Sequence, residues 1–114
     1  MNLLKETKEI LTEHGLTLND IKWVGCVKFR IPIEQFINLA NDNYDDGFGA
    51  AEVAEDLIVV GNDWWLERKE YDGAEWWEFK QYPKMPEDIK QIKRVMGGMW
   101  DTLEDININQ KEDV

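Results

Sequence analysis

Few residues in this chain have the types and spacing that chemistry requires. His14 is the single histidine and Cys26 the single cysteine. A nucleophilic triad needs a base, usually His, oriented by a third group. His14 falls on the inner or boundary side of an amphipathic helical pattern, which predicts a structural or surface role. Cys26 sits in a strand-like pattern with no basic helix terminus nearby, the setting of an inert buried thiol. The run Asp42-Asn43-Tyr44-Asp45-Asp46-Gly47 invites comparison with an EF-hand calcium loop. With Gly47 at the sixth position, Tyr44 falls at the third and Val53 at the twelfth, where a bidentate Glu is required. The match fails. Gly47 and Gly49 lack the Gly-Lys-Ser/Thr ending of a phosphate loop, and the surrounding acids would repel phosphate. Carboxylate pairs of the glycosidase kind are expected by chance among 24 acids. The sequence therefore predicts no enzyme, no catalytic residue, no metal and no cofactor.

Binding chemistry is better represented. Between Arg30 and Arg68 a window of 37 residues holds nine acids and no Lys or Arg, and it supplies most of the net charge of −11. Within it Asp42, Asp45, Asp46, Glu52, Glu55 and Asp56 cluster in a loop and the short segment that follows. Direct binding of nucleic acid is disfavoured, because phosphate contacts need Lys and Arg. Docking on a basic protein surface is favoured, and salt would screen it. The second feature is aromatic. Trp64-Trp65 and Trp76-Trp77 flank Asp72-Gly73, so four of the six tryptophans share one predicted β-hairpin. A strand alternates faces at every residue, so each pair puts one indole on each face.

The elements that must position these groups follow from periodicity. Leu3, Leu4, Thr7, Ile10, Leu11 and His14 recur at helical spacing over residues 2–14, with Gly15 as a stop. Ile21 to Ile31 reads as one strand bent at Gly25. Pro32 suits the first turn of a helix carrying Ile33, Phe36, Ile37 and Ala40. Ala50–Glu55 is short and helix-favouring, and Leu57–Val60 is an apolar run of strand length. A two-residue turn at Asp72-Gly73 places Tyr71 opposite Ala74 and Leu66 opposite Phe79. One hairpin face then holds Trp64, Leu66, Trp77 and Phe79 as core. Trp65 and Trp76 lie on the other face, where Glu67 meets Glu78 with Lys69 and Lys80 diagonal to them. After Pro83 and Pro86, Glu87–Met96 reads as a helix with Ile89, Ile92, Val95 and Met96 as its stripe. The expected fold is α+β, a small antiparallel sheet with a Trp-rich hairpin packed against N- and C-terminal helices. The expected organisation is one domain over 1–106 and a flexible tail over 107–114.

No apolar run approaches the ~18 residues needed to cross a bilayer, and the first residues lack the pattern of a signal peptide. A lone cysteine allows no intrachain disulfide framework. These features predict a cytoplasmic protein with no membrane partner.

The run from Gly47 to Phe79 contains Gly-Phe-Gly-Ala-Ala-Glu-Val-Ala, Leu-Ile-Val-Val-Gly and Trp-Trp-Leu-Glu-Arg-Lys-Glu-Tyr-Asp-Gly-Ala-Glu-Trp-Trp-Glu-Phe. With Ile21-Lys22-Trp23-Val24-Gly25, it resembles a family of small phage and prophage proteins of Gram-positive bacteria that carries no assigned activity. The resemblance implies a phage setting inside a host cell. By analogy with small acidic phage proteins as a class, it also implies a host partner that binds nucleic acid, such as a defence nuclease. The resulting expectation is a non-enzymatic acidic protein that engages such a basic partner, a candidate nucleic-acid mimic or anti-defence (anti-CRISPR) inhibitor. The partner-binding residues would be Asp42, Asp45, Asp46, Glu52, Glu55, Asp56, Trp65 and Trp76. The alternative is a phage accessory module that binds another protein through its Trp-rich face without charge mimicry. Oligomeric state is not legible in the sequence.

If the acidic loop holds no ion, a chelator should leave the melting temperature of the purified protein unchanged, since a bound ion stabilises the folded state by mass action. A drop of several degrees in a thermal melt with EDTA would show a bound cation.

Overall fold

The computed structural model describes residues 1–45 and 50–111. The chain divides into two compact units, Met1–Pro83 and Lys84–Val114. That division cuts within the 1–106 span expected to be one domain.

The first unit is α+β. Helix α1 spans Leu3–Glu13, and Asn2 caps it by accepting from the Lys5 amide at 2.9 Å. It ends in a Schellman turn. Gly15 has φ of 72°, its N–H reaches Thr12 O at 3.0 Å, and the Leu16 N–H reaches Leu11 O at 2.9 Å. Strands β1 (Trp23–Gly25) and β2 (Arg30–Ile31), helix α2 (Ile33–Ala40) and strands β3 (Ile58–Val60), β4 (Trp64–Tyr71) and β5 (Ala74–Gln81) follow. The five strands form one sheet in the order β2-β1-β3-β4-β5, each neighbour antiparallel.

The hairpin register is the one the residue pattern predicts: Tyr71 faces Ala74 and Leu66 faces Phe79. An apolar row then crosses the inner face of the sheet from Ile31 through Val24, Val59 and Leu66 to Phe79. This row joins Leu11, Ile21, Phe36, Ala40, Trp64 and Trp77 in a single core beneath the helices. Asp72 and Gly73 both have positive φ, 52° and 88°, as the tight turn between right-twisted strands requires.

Three local expectations need correction. Ile21–Ile31 is two strands, because the Cys26 amide donates to Phe29 O at 2.9 Å and closes a tight turn. Gly25 permits it, since a Cβ there would lie 2.3 Å from Phe29 O. Val27 and Phe29, whose spacing suggested a continuous inward face, are exposed at the tip. Ala50–Glu55 forms no helix, because the Glu52 and Val53 amides donate to the Glu75 carboxylate at 2.6 and 3.3 Å. Glu87–Met96 forms no helix either.

In the Lys84–Val114 unit, a 3-10 helix at Asp105–Lys111 is the C-terminal helical element. The side chains of Ile89, Ile92, Val95 and Met96 are exposed. A ten-residue helix depends on packing of its apolar stripe, and the described residues leave these four side chains exposed. Asn107 takes up nearby main-chain groups instead, accepting from the Lys93 amide at 3.1 Å and donating to Arg94 O at 3.1 Å. Asn107, expected to begin a flexible tail, lies within that 3-10 helix. Among the described residues, no helix is long and apolar enough to cross a membrane.

Trp77 is buried, and its indole N–H donates to Thr7 Oγ1 at 2.8 Å, tying β5 to α1. Trp77→Ala should cost about 3–5 kcal/mol, a large share of a small domain's stability, as read from urea unfolding.

Candidate functional site

Arg68 occupies a core position. It follows Trp64 and Leu66 on the inward parity of β4 and faces Trp77 across the hairpin. Its side chain is 3% exposed. One guanidinium nitrogen donates to both Glu6 oxygens at 3.1 Å, and the other donates to Glu75 Oε1 at 2.8 Å and to the Tyr44 hydroxyl at 3.2 Å. The Tyr44 hydroxyl in turn donates to Glu6, with oxygens at 2.6 and 2.9 Å. The guanidinium carbon lies 4.7 Å from the Trp77 ring centre and 5.5 Å from that of Tyr44, within cation–π range of both. Only Arg68 Nε among its nitrogens lacks a partner.

One cation and two carboxylates are thus held together out of water. Burial works against the Arg68 charge, but its hydrogen bonds to Tyr44 and Glu75 and the nearby Glu6 outweigh it and hold the proton more tightly than usual. Burial first, and then the hydrogen bond to Glu6, push the Tyr44 hydroxyl well above its ordinary value of 10.0. The arrangement is a latch. It joins α1, the segment after α2, β4 and β5.

The latch ties down described residues on both sides of positions 46–49. Glu75 spends its second oxygen on the Glu52 amide, and the Glu52 side chain accepts from the Asp45 amide at 2.9 Å. The carboxylates of Asp42, Asp45, Glu52, Glu55 and Asp56 belong to exposed residues. Asp42 and Glu52 stand on an open cleft of about 420 Å³ that Leu3, Phe36, Leu39 and Leu57 also line. Glu55 and Asp56 stand on a second depression, with Glu70 and Glu75. Five of the six predicted acids, Asp42, Asp45, Glu52, Glu55 and Asp56, are therefore exposed on residues beside these tethers. Asp46 lies outside the described residues.

Trp65 and Trp76 lie on the outer sheet face, as their parity requires, but they do not form one platform. The pairs Trp65–Lys80, Glu67–Glu78 and Lys69–Trp76 succeed one another along the ladder. The two indoles are therefore two rungs apart, about 13 Å along the strands. Lys69 contacts Glu67 at 3.7 Å and Glu78 at 3.9 Å, and Lys80 contacts Glu78 at 2.8 Å, so the like-charged Glu67–Glu78 pair is bracketed by lysines. Trp65 is half-buried. Its N–H donates to Glu67 at 3.1 Å and its ring tilts against Tyr82. Trp76 is 42% exposed.

Glu6, Tyr44, Arg68 and Glu75 were not among the residues singled out from sequence. The signal was available in part: Arg68 and Glu75 carry opposite charges at core parity on facing strands. Among the described residues, no group of three or more His, Cys, Asp or Glu is placed to hold a metal ion. Comparison with family models, curated proteins and solved structures gave no match.

Because the folded state holds the Tyr44 proton more tightly than the unfolded chain does, Tyr44 adds stability that is full below pH 10 and is lost as the pH rises past it. Denaturant midpoints should fall through that alkaline range. Tyr44→Phe should be less stable at neutral pH and lose less on going alkaline.

Proposed function

We propose that this chain is a non-enzymatic binding protein whose acidic segment, Asp42 to Asp56, engages a basic, nucleic-acid-binding surface of a host protein. On this reading it acts in the host cytoplasm as a nucleic-acid mimic or anti-defence inhibitor, a defence nuclease being the kind of partner that fits. The supporting observation is the anchoring of the segment. Exposed acids are displayed on a stretch with no Lys or Arg, and that stretch is tied to the core through Glu75 and Arg68. A charged surface held in place loses less entropy on docking than a floppy acidic tail would. The apolar cleft beside Asp42 and Glu52 adds somewhere for a partner side chain to seat.

The second reading, a protein-interaction module using the Trp-rich face, is favoured by the exposure of Trp76 and Tyr82 on the outer side of the sheet. Trp and Tyr are frequent interface anchors.

Pull-down from a host lysate at low and high salt separates the two. A basic partner released by salt supports the acidic segment, and a salt-insensitive partner supports the aromatic face. Replacing Asp42, Asp45 and Asp46 by Asn should lower the association rate about tenfold at low salt with little change in melting temperature. Replacing Trp76 by Ala should leave that rate alone. Full activity of the triple Asn variant in a phage-protection assay would reject the charge reading.

A further inference from the structure

The long strand at the sheet's edge has a self-complementary sequence. β5 is an edge strand of eight residues, paired with β4 along its whole length without a bulge. The opposite edge, β2, has two residues. Edge strands are commonly blunted by shortness, proline, bulges or charged side chains; β5 has no proline or bulge until Pro83, and the charges on its outer face, Glu78 and Lys80, are of opposite sign. The direction of its free groups follows from the ladder. The Tyr82 amide bonds to Asp63 O at 2.9 Å, and Tyr71–Ala74 closes the turn. Ala74, Trp76, Glu78, Lys80 and Tyr82 therefore spend their main-chain groups on β4, and Trp77, Phe79 and Gln81 point theirs outward.

We propose that β5 pairs antiparallel with β5 of a second copy of this chain, about a two-fold axis at Phe79. In that register Phe79 faces Phe79 of the second copy and Gln81 faces Trp77, so every outward group between Trp77 and Gln81 finds a partner, about six main-chain hydrogen bonds. Lys80 of each copy faces Glu78 of the other. Trp76 faces Tyr82 on the same outer side, burying two exposed aromatics. The adjacent register centred on Glu78 would put like charges together at the axis. The one centred on Trp77 would leave Lys80 opposite Ala74. Beyond Gln81 the ladder stops by itself, since the next outward position is Pro83, which has no N–H. Charge complementarity thus selects both the occupant and the register. The proposal does not depend on the acidic-segment reading.

Sedimentation of the full-length protein across a dilution series should show a monomer–dimer equilibrium. Glu78→Lys and Lys80→Glu should each weaken the dimer about tenfold or more, because both cross-axis pairs become repulsive. Circular dichroism checks that each variant is folded. The decisive arm is their mixture. The Glu78→Lys copy and the Lys80→Glu copy are complementary across the axis, so mixing should restore a dimer containing one of each, seen by native mass spectrometry. Gln81→Pro, which removes an outward N–H without touching the β4 ladder, should also give monomer. A monomer at every concentration, or a dimer that neither swap weakens, would overturn the proposal. So would two weakened variants that fail to associate when mixed.

Discussion

The Arg68 guanidinium is the point on which the first unit's arrangement turns. Burying a charge is costly unless it is paired and hydrogen-bonded. Here the cost is met from three other parts of the chain, since Glu6 of α1, Tyr44 after α2, and Glu75 and the Trp77 ring of β5 all converge on it. An apolar side chain of similar size would pack the same space with less electrostatic demand. It would not specify where the segment after α2 must lie. The ion cluster does constrain this, because Tyr44 must lie within hydrogen-bond reach of both Arg68 and Glu6.

That requirement carries to the surface. Glu75 has one oxygen on Arg68, and the carboxylate also accepts the amides of Glu52 and Val53. The exposed Glu52 thereby takes its backbone position from a buried carboxylate. In the same way the cost of the facing Glu67 and Glu78 on the outer sheet is offset locally by Lys69 and Lys80. Both faces of the hairpin carry charge in ordered form, one sealed and one wet.

The parts of the fold legible in the sequence were those governed by strict alternation or a turn with its own chemistry. Asp72-Gly73 set the hairpin register, and with it the inward placement of Trp64, Leu66 and Trp77. Asn2 and Gly15 bounded α1. What was illegible depended on partners far along the chain. Nothing near Glu52 shows that its amide will go to Glu75 instead of into a helix. The turn at Cys26–Phe29 carries no Gly, Pro or Asn of its own, and Gly25 just before it signalled only a bend. The Ile89–Met96 stripe has helical spacing, but spacing does not supply a surface to pack on. The acidic residues of the candidate site were legible as composition. Their tether through Arg68 was not, because a charged residue at core parity reads as an exception until its counter-ions are located.

The turn at Cys26–Phe29 has an electrical consequence. Lys28 and Arg30 sit with β2 at one border of the sheet, while the carboxylate that holds the Glu52 and Val53 amides is on β5 at the other. Four strand spacings separate these borders, about 19 Å. Mobile ions screen charge over about 8 Å at physiological salt, so a partner held at the Glu75 border meets the field of Lys28 and Arg30 only weakly.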